Sequence, residues 1–163
     1  VKSAAAVSRR GVLLAGALVA GCGLAAGVQA LPATQPLLPA PASLAAELRD
    51  ALARGRALVL LASLEGCPWC AYVRTSWLAP LRAEGQPVVE IDLRQPAPVL
   101  DFQGAASTHA QVARALAVRV APTVLFLGAG GRELAPRLAG VPLPDFYGAY
   151  LQERLTAANR AAA

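Results

Sequence analysis

The run Ala57-Leu-Val-Leu-Leu-Ala-Ser-Leu-Glu-Gly-Cys-Pro-Trp-Cys70 joins an apolar block to two cysteines three positions apart. The block is short enough to be a buried strand, and a continuous apolar run of that length suits a strand covered on both faces. Pro68 directly follows the first cysteine. Proline is favoured at the first position of a helix, where its fixed φ fits and its missing N–H removes only a donor that has no partner there. The stretch therefore reads as strand, turn, helix, with Cys67 at the N-cap and Cys70 one turn further in. Backbone N–H groups of the first turn can then point at the Cys67 sulfur as they would at a capping serine. With the positive end of the helix dipole they favour a thiolate there. A free cysteine titrates near about 8.5, and such a site lowers that value by one to several units. A Cα separation of roughly 5 Å lies within the range a disulfide tolerates.

Other readings of Cys67 and Cys70 are half of a zinc site or two inert thiols. A structural zinc site takes four ligands. There is no second Cys-x-x-Cys, and His109 is the only histidine, so no metal site is expected. His109 itself reads as a solvated residue near a helix start. Arg74 reads as a surface charge and Glu65 as a solvated loop acid. Trp69, between the cysteines, is expected beside the sulfur in a contact role. Trp77, Phe126, Phe146 and Tyr150 read as core.

Outward from the dithiol the signals alternate. Ser43 caps a helix with Leu44, Leu48 and Leu52 at helical spacing, and Gly55 stops it. The cysteine helix runs to about Ala79 and is ended by Pro80. Residues 87–93 form a second strand and residues 94–106, with two prolines and a glycine, a loop. Ser107 opens a helix with Val112, Ala113 and Leu116 inward. Residues 121–140 read as strand, glycine-rich turn and strand. The last helix carries Phe146, Tyr150, Leu151 and Leu155 on one side. The order α-β-α-β-α-β-β-α indicates an α/β domain, a mixed sheet with helices on both faces, over residues 43–160.

The first thirty residues read as an export segment. Lys2, Arg9 and Arg10 precede an apolar stretch and then small residues, the secretory pattern. Ser8-Arg9-Arg10 resembles a twin-arginine motif, and Val28-Gln29-Ala30 fits a cleavage site. Val19-Ala20-Gly21-Cys22 resembles a lipoprotein box, with Cys22 as the lipidated residue; the bland alternative leaves Cys22 in a discarded peptide. Each of these places the domain in a periplasmic, thiol-oxidising compartment, and any membrane contact is through the segment or a lipid on Cys22. Residues 31–42, with four prolines, read as an extended spacer. The net charge of +5 falls to +2 without the three N-terminal cations. The remaining arginines are scattered among acids, so no nucleic-acid partner is expected.

The strand, the Cys-Pro-Trp-Cys opening a helix, and Val120-Ala121-Pro122-Thr123 leading a late strand together resemble the thioredoxin family, above all its exported bacterial branch. The resemblance implies a thioredoxin-like fold and thiol–disulfide exchange with protein substrates. Cys67 is then the attacking and Cys70 the resolving thiol. It also implies a cis Pro122, a substrate groove shaped by Pro68, Trp69, Ala121, Pro122 and Thr123, and no dissociable cofactor, since the electrons reside on the two sulfurs. Thioredoxins proper carry tryptophan where Gly66 stands and a buried aspartate where Leu61 stands, departures that leave the direction of exchange open. The rival from another class is a non-catalytic module of the same fold that holds a partner chain or a metal through the two cysteines.

Overall fold

The computed structural model describes residues 38–163. The expected export segment, Cys22 and residues 31–37 of the expected spacer lie outside the described residues. Among the described residues no helix is long and apolar enough to cross a membrane.

Ser43 caps α1 (Leu44–Ala53), its hydroxyl accepting from the Ala46 N–H at 3.2 Å. The apolar block forms β1 (Leu58–Ser63), buried at all six positions. Then come α2 (Pro68–Val73), a π turn (Arg74–Leu78) and α3 (Ala79–Ala83) without interruption. Pro80 was expected to end this helix and does not. The Ala79 N–H reaches the Arg74 carbonyl, five residues back, and this widened turn takes up the proline that a regular helix would reject.

Strand β2 (Val88–Asp92) follows. The supposed loop 94–106 contains a small antiparallel hairpin, β3 (Pro98–Leu100) and β4 (Ala106–Thr108). Pro98 and the short strands hide it from periodicity. The next helix, α4 (His109–Ala115), is capped by Thr108, one residue beyond the serine expected to open it. Strands β5 (Thr123–Gly128) and β6 (Arg132–Ala139) form the expected hairpin, and α5 (Tyr147–Ala162) closes the chain.

The main sheet has the order β2-β1-β5-β6. Strand β1 is parallel to β2 and antiparallel to β5, and β5 is antiparallel to β6, so the sheet is mixed as expected. Its two faces bury two separate clusters, as period-two alternation demands. Val59, Leu61, Val124 and Phe126 pack with Val73, Leu78, Tyr147, Leu151 and Leu155 from α2, the π turn and α5. Leu58, Leu60, Leu125 and Leu127 pack with Leu44, Leu48 and Val112 from α1 and α4. The inward face of α5 is Tyr147, Leu151, Leu155 and Ala158. Phe146 and Tyr150, expected in the core, are 60 % and 39 % exposed. A 3-10 turn at Pro144–Phe146 precedes α5 and turns the helix so that Tyr147, not Phe146, faces inward.

Both sheet edges are managed. Pro136 lies on edge strand β6, which suits a residue unable to donate to a ladder. The edge of β2 is met by the end of the proline-rich stretch, where the Glu90 N–H donates to the Pro39 carbonyl at 2.9 Å. Leu38 is 2 % exposed within the first cluster, so the folded body includes Leu38 and the last residues of the expected spacer. A side-chain clamp ties the far end of the sheet to α5: Asn159 accepts from the Ala57 N–H at 2.9 Å and donates to Gln86, which donates to the Ala57 carbonyl at 2.7 Å.

Candidate active site

Strand β1 ends at Ser63, and a tight turn carries the chain into α2. Gly66 sits there at φ +71°, a left-handed conformation that glycine adopts without strain. The Cys67 N–H closes the turn on the Leu64 carbonyl at 3.3 Å. Cys67 is the N-cap of α2, extended at φ −83° and ψ 114°, with Pro68 in the first turn. Its sulfur accepts from the Cys70 N–H at 3.1 Å, the geometry expected of a capping side chain. Cys67 and Cys70 form a disulfide across a Cα separation of 5.2 Å. Cys67 is half-buried, whereas Cys70 is fully buried. The two sulfurs are thus chemically distinct: the first is open to a partner and the second is not.

Trp69 is 49 % exposed, and its ring meets Tyr72 edge-on at 5.8 Å. A row of rings continues inward through Trp77 to Tyr147, with centroids 6.5 and 6.4 Å apart. Burial, then the neighbouring Tyr72, holds the Tyr147 hydroxyl above the ordinary tyrosine value. Trp77 is partly buried in the first cluster, and Phe126 lies fully inside it.

The proline loop is at the same end of the sheet. Thr123 pairs with Ala62 near the end of β1, which places Pro122 beside the strand that feeds the dithiol. The Ala121–Pro122 peptide bond is cis, as the resemblance implied. Pro122 is buried, and its carbonyl accepts from the Gly140 N–H at 2.7 Å, which ties this loop to the end of β6. Ala121 is half-buried and its backbone makes no hydrogen bond with the described residues. Thr123 is buried, and its hydroxyl donates to the Val120 carbonyl at 2.6 Å, so its side chain shapes the turn and offers nothing outward. Pro68 is exposed beside Trp69.

Four polar residues brace the site, Asp92, His109, Arg74 and Glu90, of which Asp92 and Glu90 were not singled out from sequence. Asp92, at the end of β2, accepts from the Glu65 and Arg94 N–H groups, each at 2.8 Å, and so fastens the turn before Cys67 to the second strand. An aspartate followed by a polar loop is the signal for such an Asx turn. The Asp92 N–H donates to Nδ1 of His109 at 3.4 Å. His109 is only 6 % exposed, which corrects its reading as a solvated residue. Thr108 takes the cap, and the imidazole turns in against the end of β2. Burial lowers its pKa and the charge of Asp92 opposes that shift. Arg74 is likewise no free surface charge. It makes a bidentate pair with Glu90 at 2.8 and 2.5 Å, and that hydrogen bond raises its pKa. Leu61, in register with Glu90, is fully buried. Glu65 is exposed, as expected. Among the described residues no group of three or more His, Cys, Asp or Glu is placed to hold a metal ion.

No family model matches the chain, and no curated protein does. Among solved structures it is similar to the reduced periplasmic thioredoxin SoxS from Paracoccus pantotrophus, at 24 % identity over 63 % of this chain and 98 % of that one, with a TM-score of 0.41. It is similar to a thioredoxin from Thermus thermophilus, at 24 % identity over 74 % and 86 % of the two chains, with a TM-score of 0.48. The oxidoreductase DsbH matches at 18 % identity over 81 % of this chain and 94 % of its own, with a TM-score of 0.49. The β2-β1-β5-β6 order, the helix that opens on a Cys-x-x-Cys disulfide after β1, and the cis proline before β5 are features of this chain itself. On those features, the chain has the thioredoxin fold.

Proposed function

We propose that the chain is an exported thiol–disulfide oxidoreductase that exchanges the Cys67–Cys70 disulfide with cysteines of other polypeptides. The observation that carries this reading is the inequality of the two sulfurs: one capped by an amide and reachable, the other sealed under the first turn. A substrate thiolate attacks the Cys67 sulfur in line with the Cys67–Cys70 bond. That bond breaks, its electron pair leaves on the Cys70 sulfur, and a mixed disulfide forms at Cys67. A second substrate thiolate then attacks the substrate sulfur, Cys67 leaves as a thiolate, and the substrate is oxidised by two electrons. In the other direction the reduced Cys67 attacks a substrate disulfide and Cys70 resolves the mixed disulfide. The amide that caps Cys67 stabilises its anion in both directions. The backbone of Ala121, unbonded among the described residues and beside the buried Pro122, suits an incoming extended chain.

The test is trapping. In the full chain, Cys70→Ser accumulates mixed disulfides through Cys67, and Cys67→Ser accumulates none. A wild-type chain that exchanges with no thiol and leaves no trapped species is the non-catalytic module. A reduction potential near about −120 mV assigns an oxidant, and one near about −270 mV a reductant. Export rests on residues 1–30, and the intact mass of the exported chain separates cleavage after Ala30 from lipidation at Cys22.

A further inference from the structure

Large apolar side chains exposed to solvent are few among the described residues: Trp69, Leu100, Val120, Leu143, Phe146 and Tyr150. All but Leu100 lie in three segments that the fold draws together beside the dithiol. The Gly140 N–H bonds the Pro122 carbonyl, and the β-position of Gly140 is 3.8 Å from Val120. The Tyr72 hydroxyl meets the Pro144 carbonyl at 3.5 Å, and Tyr72 stacks edge-on with Trp69. From Trp69, between the cysteines, an apolar surface thus runs through Tyr72 to Leu143, Phe146 and Tyr150. Its far end is 60 % exposed at Phe146 and 50 % at Leu143. Exposed apolar patches of this kind mark binding surfaces.

We propose that Leu143, Phe146 and Tyr150 form a second anchor for the polypeptide substrate, separate from the dithiol and the Ala121–Pro122 loop. It takes a large apolar side chain carried a few residues from the reacting cysteine. The inference rests on the exchange reading. That reaction also identifies the occupant, because a chain that presents a cysteine to Cys67 must lie across the ground next to it. Four residues of extended chain span about 13 Å, and the ground to be crossed is bridged by the Trp69–Tyr72 contact at 5.8 Å and the Tyr72–Pro144 contact at 3.5 Å. The carboxylate in this stretch is Asp145, between Pro144 and Phe146, so the surface favours apolar or cationic flanks over acidic ones.

The experiment measures exchange between the full chain and two disulfide-bearing peptides. One has leucine four residues from its cysteine on each side, and the other has serine there. Glutathione disulfide serves as a small reference. The expected result is a leucine peptide about tenfold faster than its serine analogue, and a ratio near one in the Leu143→Ser/Phe146→Ser double variant. Leu100→Ser, off this surface, keeps the tenfold ratio. Equal rates for the two peptides in the wild-type chain, or a ratio that survives the double variant, overturn the anchor while exchange with glutathione disulfide upholds the parent reading. No exchange with any of the three overturns both. A chain whose Phe146 surface is buried in a dimer, dissociated by Phe146→Ser in sedimentation, also overturns the anchor.

Discussion

Replacing Arg74 by methionine removes one half of an ion pair that stands one turn beyond Cys70. The pair is bidentate, and its side chains are only 26 % and 15 % exposed. Breaking a buried pair by removing one partner costs about 3–5 kcal/mol, because the other charge stays behind without compensation. Partial exposure lets water screen part of that charge, which brings the expected loss to about 2–3 kcal/mol for Arg74→Met. Glu90→Leu strands the guanidinium instead. Arg74 reaches water more easily, so the loss is nearer about 1–2 kcal/mol. The double variant strands nothing and places two apolar groups over the first cluster, so its loss is about 1 kcal/mol or less. The predicted coupling is therefore about 2 kcal/mol or more, well outside the additivity expected of independent sites. Urea unfolding of the four proteins measures it directly, and melting shows the same pattern as a fall of about 10 °C for Arg74→Met. If the double variant loses the sum of the two single losses, the pair does not hold α2 against β2, and the argument that it fixes the helix bearing Cys70 fails.

His109 sets a pH dependence. Its pKa is lowered in the folded chain, so the unfolded chain takes up the proton first as pH falls below about 6.5. Stability is whole above that value and declines as pH falls toward the folded pKa. Unfolding free energies between pH 5.5 and 7.5 should rise with pH more steeply for the wild type than for His109→Gln. The two glycines beside the site differ in kind. A β-carbon on Gly66 meets nothing within 4 Å, so Gly66→Ala costs only the left-handed backbone, about 1–2 kcal/mol in chemical denaturation. One on Gly148 comes within 2.3 Å of the Trp77 ring, so Gly148→Ala forces that ring to move; about 1–3 kcal/mol and a changed tryptophan fluorescence spectrum are expected. Asn159→Ala leaves the Ala57 N–H without its partner, and a loss of about 1–3 kcal/mol in urea unfolding checks the clamp.

The parts of this fold that were legible in the sequence are those decided by local chemistry. Ser43, the apolar run of β1, Pro68 after Cys67 and the glycine-rich turn after β5 each carry their own geometric reason. Their positions came out within a residue or two. What was not legible depends on neighbours far along the chain. Pro80 ends a regular helix, and only the π turn, held by packing of Leu78 in the first cluster, lets it through. The face of α5 was misjudged by one position because Phe146 and Tyr147 have similar apolarity and only the preceding 3-10 turn chooses between them. His109 and Arg74 are polar, so single-sequence reasoning puts them outside. Their partners, Asp92 and Glu90, sit on a strand that is adjacent in space but sixteen or seventeen residues away in sequence. The cysteines were legible as a close, unequal pair because the helix itself sets their spacing and their depth.

That inequality is sharper here than the sequence comparison of single positions implied. A carboxylate at position 61 would face the apolar side that also holds Val73 and Leu78; Leu61 fills that space instead. Its register partner Glu90 is occupied by Arg74. Cys70 is thus fully buried at the first turn of α2. Cys67, by contrast, has an amide donor at 3.1 Å and access to water. The two polar braces, Asp92 on the turn and Arg74–Glu90 on the helix, act on the frame that holds the sulfurs and leave the sulfurs themselves alone. In the proposed exchange, depth along one helical turn is what supports Cys67 as the attacking and Cys70 as the resolving thiol. An exchange of roles between them would require α2 to slide against β1, which the bracing of both its ends by β2 opposes.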